Sequence, residues 1–242
     1  MTRADSTNPS RSQVLLAWCV HAFTASGALV ALITLVELAA GDLSRAALWM
    51  LVALSIDSVD GTFARAVDVG RVLPGVDGRR LDDLVDFLNY VIVPVVFLLE
   101  IGALAPPVLA AVPILASSYG FSQRDAKTRD GFFLGWPSYW NVLALSIWLV
   151  GIGPWLATGL VLVCALLVFV PLKYVYPSQM RSLRLTTNLG ALAWILLVAW
   201  AAWDPQRHHE LPLAELSLVY PAYYVGVSAW LGGWLRPGGP RA

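Results

Sequence analysis

Asp57, Asp60, Asp82 and Asp86 have the residue type and spacing for chemistry. The first two are three residues apart and the last two four apart, so each pair shares one face of a helix. Asp57 and Asp60 stand near the end of an otherwise apolar stretch, where carboxylates are costly and mark function. If two helices bring the four together, the like charges repel strongly unless a cation neutralises them. Oxygen ligands suit hard ions such as Mg²⁺ or Mn²⁺. Four carboxylates can hold two such ions, a common device for displacement at phosphorus. Asp68, Asp77 and Asp83 lie in the same stretch and read as solvated charges at helix ends.

The elements that must position these carboxylates are membrane helices. Of 242 residues, 58% are apolar and 13% charged, with a mean hydropathy of +0.67. A soluble domain carries roughly 25% charge. With about 20 apolar residues needed per crossing, the sequence predicts an all-α protein of about eight spans. They are Val14–Ala39, Ser44–Ala66, Leu81–Ile101, Pro106–Phe121, Ser138–Gly151, Trp155–Val175, Thr186–Trp203 and Glu215–Leu235. The fourth and fifth are short. The runs are continuously apolar, whereas a closed barrel needs alternating strands. The first run is too long for a cleaved signal segment and reads as a retained span.

Basic residues set the orientation. Fourteen of the 16 fall in the tails and in the connections after spans 2, 4 and 6. By the positive-inside rule these parts and both termini are cytoplasmic. The expected organisation is a tail over 1–13, one transmembrane catalytic domain over 14–235 and a tail over 236–242. The net charge is zero, so a basic nucleic-acid face is not expected. The zero hides a division, because 57–86 holds seven acidic and four basic residues. Cys19 and Cys164 lie in apolar runs and support neither a disulfide framework nor a thiolate metal site.

The carboxylates sit in DSVDGTFAR (57–65) and GRRLDDLVD (78–86). This closely resembles the signature of the CDP-alcohol phosphotransferases, with matches at Asp57, Asp60, Gly61, Ala64, Arg65, Gly78, Asp82 and Asp86. Twelve residues separate Arg65 from Gly78, a longer spacer than most of the family has. That spacer resembles the branch of bacterial phosphatidylcholine synthases. So do WCVHAFTASG (18–27), LNYVIVP (88–94) and DAKTRDGFFLGWPSYWN (125–141). The resemblance covers roughly 14–235. It implies the family's fold, with its active site at the cytoplasmic side of a bundle in a bacterial inner membrane. It also implies transfer of phosphatidyl from CDP-diacylglycerol to choline, giving phosphatidylcholine and CMP, with Mn²⁺ required.

Residue roles follow from the same resemblance. Asp57, Asp60 and Asp82 would hold the metals, and Asp86 would touch the metal and act as general base toward the choline hydroxyl. Gly61, Ala64 and Gly78 would let the nucleotide approach the backbone, with Arg65 on the diphosphate or CMP. Thr24 and His21 occupy the place of a nucleotide-contacting P-N-x-x-T, His21 standing where the Asn would be.

Choline carries a fixed positive charge, which favours aromatic faces. Tyr119, Trp136, Tyr139 and Trp140 near the cytoplasmic ends of spans 4 and 5 are the candidates, and an interfacial aromatic belt is the competing reading. Arg124, Lys127, Arg129, Arg181 and Arg184 are candidates for lipid phosphates, against a plain role in topology. Another alcohol acceptor, such as serine, inositol phosphate or glycerol phosphate, stays open. A cation transporter is the reading from a different class, but its site belongs near the midplane. Family members are often dimers, and no dimer face stands out here.

Overall fold

The computed structural model describes residues 9–180, 182–204 and 212–234. Helix α1 (Arg11–Ala39) starts at a capping box, in which Ser10 and Gln13 each accept from the other's backbone N–H. Helix α2 (Leu43–Val67) is capped by Asp42 and ends at Asp68, which takes φ +55°. A single turn, α3 (Val69–Val72), leads to α4 (Gly78–Phe87), where the Asp77 side chain accepts from the N–H of Arg80.

The rod then continues without a break through a π turn, Leu88–Ile92, into α5 (Val93–Glu100). Pro94 explains the π turn. It has no N–H for the carbonyl of Tyr90, and the chain widens just before it, with Val93 N–H bonding Leu88 O. Inside this turn Asn89 donates to the carbonyls of Gly27 (3.0 Å) and Val85 (3.1 Å), which ties the rod to α1.

A 3₁₀ turn (Pro107–Ala110) and α6 (Ala111–Ser122) follow, then α7 (Trp140–Val150), α8 (Pro154–Leu167), α9 (Arg184–Trp203), α10 (Leu213–Ser217) and α11 (Val219–Leu231). The main core joins α5, α7, α8 and α9 around Phe97, Leu98, Leu145 and Val198, with Phe97 edge-on to Trp148.

Among the described residues, three helices are long and apolar enough to cross a membrane: α1, α2 and α9. At 11 residues, α7 spans only about 16 Å of a hydrocarbon layer near 30 Å.

The mostly helical structure fits the expected all-α membrane protein, but the helix of the expected sixth span ends early. Helix α8 stops at Leu167, before Pro171, and Lys173–Val175 is a strand, β2. It pairs antiparallel with β1 (Phe132–Leu134) in the register Phe132↔Val175 and Leu134↔Lys173. Pro171 disfavours helix for the residue before it. The β-forming Phe132-Phe133 offers the chain a partner instead. The outer side of β2 is satisfied by α11 and the turn after it. Val175 N–H donates to Ser228 Oγ (3.1 Å), Tyr224 Oη to Val175 O (2.9 Å) and Trp234 Nε1 to Lys173 O (2.8 Å).

Candidate active site

Asp57 and Asp60 lie on the last turns of α2, Asp82 in the middle of α4 and Asp86 on its last turn. Helix α1 packs along both and holds their facing ends together. Each of Asp57, Asp82 and Asp86 places a carboxylate oxygen within 4.8 Å of the others. Tyr90, turned inward by the π segment, donates its hydroxyl to Asp57. Lys127, from the loop after α6, reaches Asp82 and Asp83 at 3.8 Å each.

Asp60 is buried but belongs to the neighbouring face, where the Thr24 hydroxyl meets its carboxylate. Three residues of helix turn the chain about 60° short of a full circle. That rotation separates the two carboxylates of α2.

The three clustered carboxylates and Asp83 face one ammonium, that of Lys127. Burial works against the Lys127 charge, but Tyr176, Asp82, Asp86 and Asp83 outweigh it and raise its pKa above the ordinary lysine value. Even with the Arg79 guanidinium that also lines the cavity, the four carboxylates exceed the positive charge beside them among the described residues. An oxygen-only donor set with excess negative charge fits a hard divalent ion.

A cavity of about 130 Å³ opens on this cluster. Asp57, Arg79, Asp82, Asp83 and Asp86 line it from the helices, and Lys127, Phe133, Trp136, Tyr139 and Tyr176 from the loop and ribbon. The second wall is shaped by the loop 123–139. Leu134 N–H bonds Ala126 O, the Thr128 side chain pairs with the backbone of Phe132, and Gly135 N–H bonds Leu172 O. Gly135 takes φ +82°, and a Cβ there would lie 2.4 Å from Val168 O, so the loop needs glycine. Lys173 clamps the ribbon through Asp130 at 2.8 Å.

The sequence candidates fall into separate places. Trp136 and Tyr139 line the cavity. Trp140 does not, because it is fully buried and donates to Ser117 at 2.7 Å. Tyr119 is 49% exposed and stacks on Phe169 at 4.8 Å, away from the cavity. Arg124, Arg129 and Arg184 are exposed, whereas Lys127 is turned inward to the carboxylates. Arg181 lies outside the described residues.

Of the expected nucleotide-side residues, Thr24 and His21 lie on α1, Gly61, Ala64 and Arg65 on α2, and Gly78 starts α4. The Arg65 guanidinium folds over Gly61, 3.2 Å from where a Cβ would stand, and bonds Thr62. His21 lies against Gly78, and its buried Nε2 has no hydrogen-bond partner among the described residues.

Tyr90, Phe133, Tyr176 and Arg79 also line the cavity and were not singled out from sequence. The signals for the first two were Pro94, next to an otherwise ordinary apolar run, and the Phe-Phe pair between glycines.

No family model matches the chain. It is 42% identical over 174 residues to the phosphatidylcholine synthase of Legionella pneumophila, which covers 70% of this chain and 68% of that protein. It is 35% identical over 218 residues to the phosphatidylcholine synthase of Pseudomonas aeruginosa (88% and 91%). With that of Borreliella burgdorferi the identity is 32% over 222 residues (90% and 95%).

Proposed function

The chain belongs to the phosphatidylcholine synthase family, and we propose that it transfers phosphatidyl from CDP-diacylglycerol to choline, giving phosphatidylcholine and CMP. The observation that carries the proposal is the juxtaposition of three carboxylates with an aromatic-walled cavity. A divalent ion bound to such oxygens supplies charge to hold a diphosphate and to ease departure of CMP.

Asp57, Asp82 and Asp86 hold that ion, and Mn²⁺ is the choice the resemblance implies, with Mg²⁺ the chemical alternative. Asp60, buried on the neighbouring face, is the carboxylate that a second ion would add. Tyr90 fixes the orientation of Asp57.

Asp86 lines the cavity and takes the proton from the choline hydroxyl. The choline oxygen then bonds to the phosphorus that carries diacylglycerol. The bond from that phosphorus to CMP breaks, and CMP leaves with the electron pair. Gly61, Ala64, Arg65, Gly78, Thr24 and His21 form the nucleotide side. Trp136 and Tyr139 stand on the acceptor side. Exposed Arg124, Arg129 and Arg184 are placed to meet lipid phosphates.

The same reading puts the domain over 14–235 in the bacterial inner membrane, multi-pass with eight spans and both termini cytoplasmic. The three long apolar helices and the one-sided basic residues support it. An acceptor panel tests the function. Purified protein with Mn²⁺ and CDP-diacylglycerol is expected to yield product with choline. Product only with serine, inositol phosphate or glycerol phosphate would overturn the assignment.

A further inference from the structure

Choline's ammonium cannot donate a hydrogen bond, so carboxylates alone cannot distinguish it from other cations. Aromatic faces can, because methyl groups that carry positive charge lie well against them. The loop-and-ribbon wall is dense in rings. Phe133 and Tyr176 lie 4.4 Å apart between centroids. Tyr139 stands at 89° to Phe133, at 6.3 Å. The Lys127 ammonium sits 5.9 Å from the Tyr176 centroid and is held at 3.8 Å from both Asp82 and Asp83.

Phe133 and Tyr176 come from segments far apart in the chain. They meet because β1 and β2 pair in the observed register. Asp86 and these rings bound the same small cavity. An acceptor that carries its hydroxyl and its cation two methylene groups apart has one group for the carboxylate and one for the rings.

We propose that Phe133 and Tyr176, joined by Tyr139, form the seat for the trimethylammonium of the acceptor and set the preference for choline over less methylated amines. This deepens the reading of choline as acceptor and rests on it. Primary ammonium groups are strongly hydrated and lose more on entering a ring-lined wall. They gain less from the ring faces than a methylated cation does. Phe133 and Tyr176 are thus specificity residues, and Asp86 remains the group that handles the proton.

The test replaces each ring by an apolar side chain, Tyr176→Leu and Phe133→Leu. It measures KM for choline, for CDP-diacylglycerol and for the uncharged isostere with tert-butyl in place of trimethylammonium. Choline KM is expected to rise roughly 30-fold, the size of a desolvated cation–π contact of about 2 kcal/mol. CDP-diacylglycerol KM should stay unchanged and the isostere should be affected less than choline. Parallel losses for choline and isostere, or an unmoved choline KM, would overturn the seat.

A measurement without mutation guards against misfolded variants. Tetramethylammonium is expected to compete with choline and not with CDP-diacylglycerol, and absence of competition overturns the proposal. A protein that makes product only with another alcohol fails the proposed function itself. One that uses choline yet loses nothing in these variants fails the seat alone.

Discussion

Asp57, Asp82 and Asp86 reach the cavity from helices α2 and α4, whereas Phe133, Trp136, Tyr139 and Tyr176 reach it from a loop and a two-stranded ribbon. The helical wall is fixed by local hydrogen bonding and by packing on α1. The other wall depends on pairings between segments some forty residues apart, clamped by Lys173–Asp130 and side chains of α11. The difference suggests a division of labour. Groups that handle phosphorus and the proton need a rigid placement, and a recognition wall can vary with its loop. Changes in the first wall should therefore act on kcat and metal demand, and changes in the second on choline KM.

The largest effect is expected at Asp86. Asp86→Asn should lower kcat by about 10²–10⁴-fold, the range for a general base, while CDP binding measured by calorimetry largely survives. Equal loss of both would remove the base from the account. Next comes the Tyr90 hydroxyl, which donates to Asp57, a proposed metal ligand. Tyr90→Phe should raise the Mn²⁺ concentration for half-maximal activity by roughly 10–100-fold, the usual cost of losing such support, with choline KM little changed. A choline KM that rises without any change in Mn²⁺ demand would instead join Tyr90 to the aromatic wall.

The loop wall should respond differently. Gly135→Ala forces a left-handed backbone on alanine and drives its Cβ toward Val168 O. Strain of this kind costs roughly 1–3 kcal/mol, so thermal unfolding should shift down and choline KM up, with kcat at saturation retained.

The smallest effect belongs to Asp130. The hydrogen bond from Lys173 holds its carboxyl below the usual range. A depressed carboxyl stabilises the fold above its unfolded pKa and loses that contribution as pH falls through the folded value. Asp130 is largely exposed, so the pair is worth under about 1 kcal/mol. Asp130→Asn should flatten the acid side of the stability profile, and an unchanged profile would deny the clamp a role.

The two walls also differ in how far they were legible from sequence. Spacing within one helix fixes a shared face, so Asp82 and Asp86 were readable as a pair. Asp57 and Asp60 were readable as neighbours, but the rotation that turns Asp60 to Thr24 depends on how α1 packs. Tyr119 and Trp140 have the right residue type near the right end. Sequence position does not say that Trp140 points at Ser117 or that Tyr119 stacks outward on Phe169. Tyr176 becomes part of the site only through β-pairing across a long connection, and no local pattern encodes that register. Pro94 announces a disturbed helix, but that the disturbance turns Tyr90 toward Asp57 is visible only in three dimensions.

The most direct test of the central claim is product formation as Mn²⁺ is returned to chelated protein supplied with CDP-diacylglycerol and labelled choline. The account predicts no transfer without a divalent ion, then phosphatidylcholine and CMP in equal amounts as Mn²⁺ rises. Full-rate transfer in the chelated protein, or CMP release with no choline in the lipid product, would contradict it.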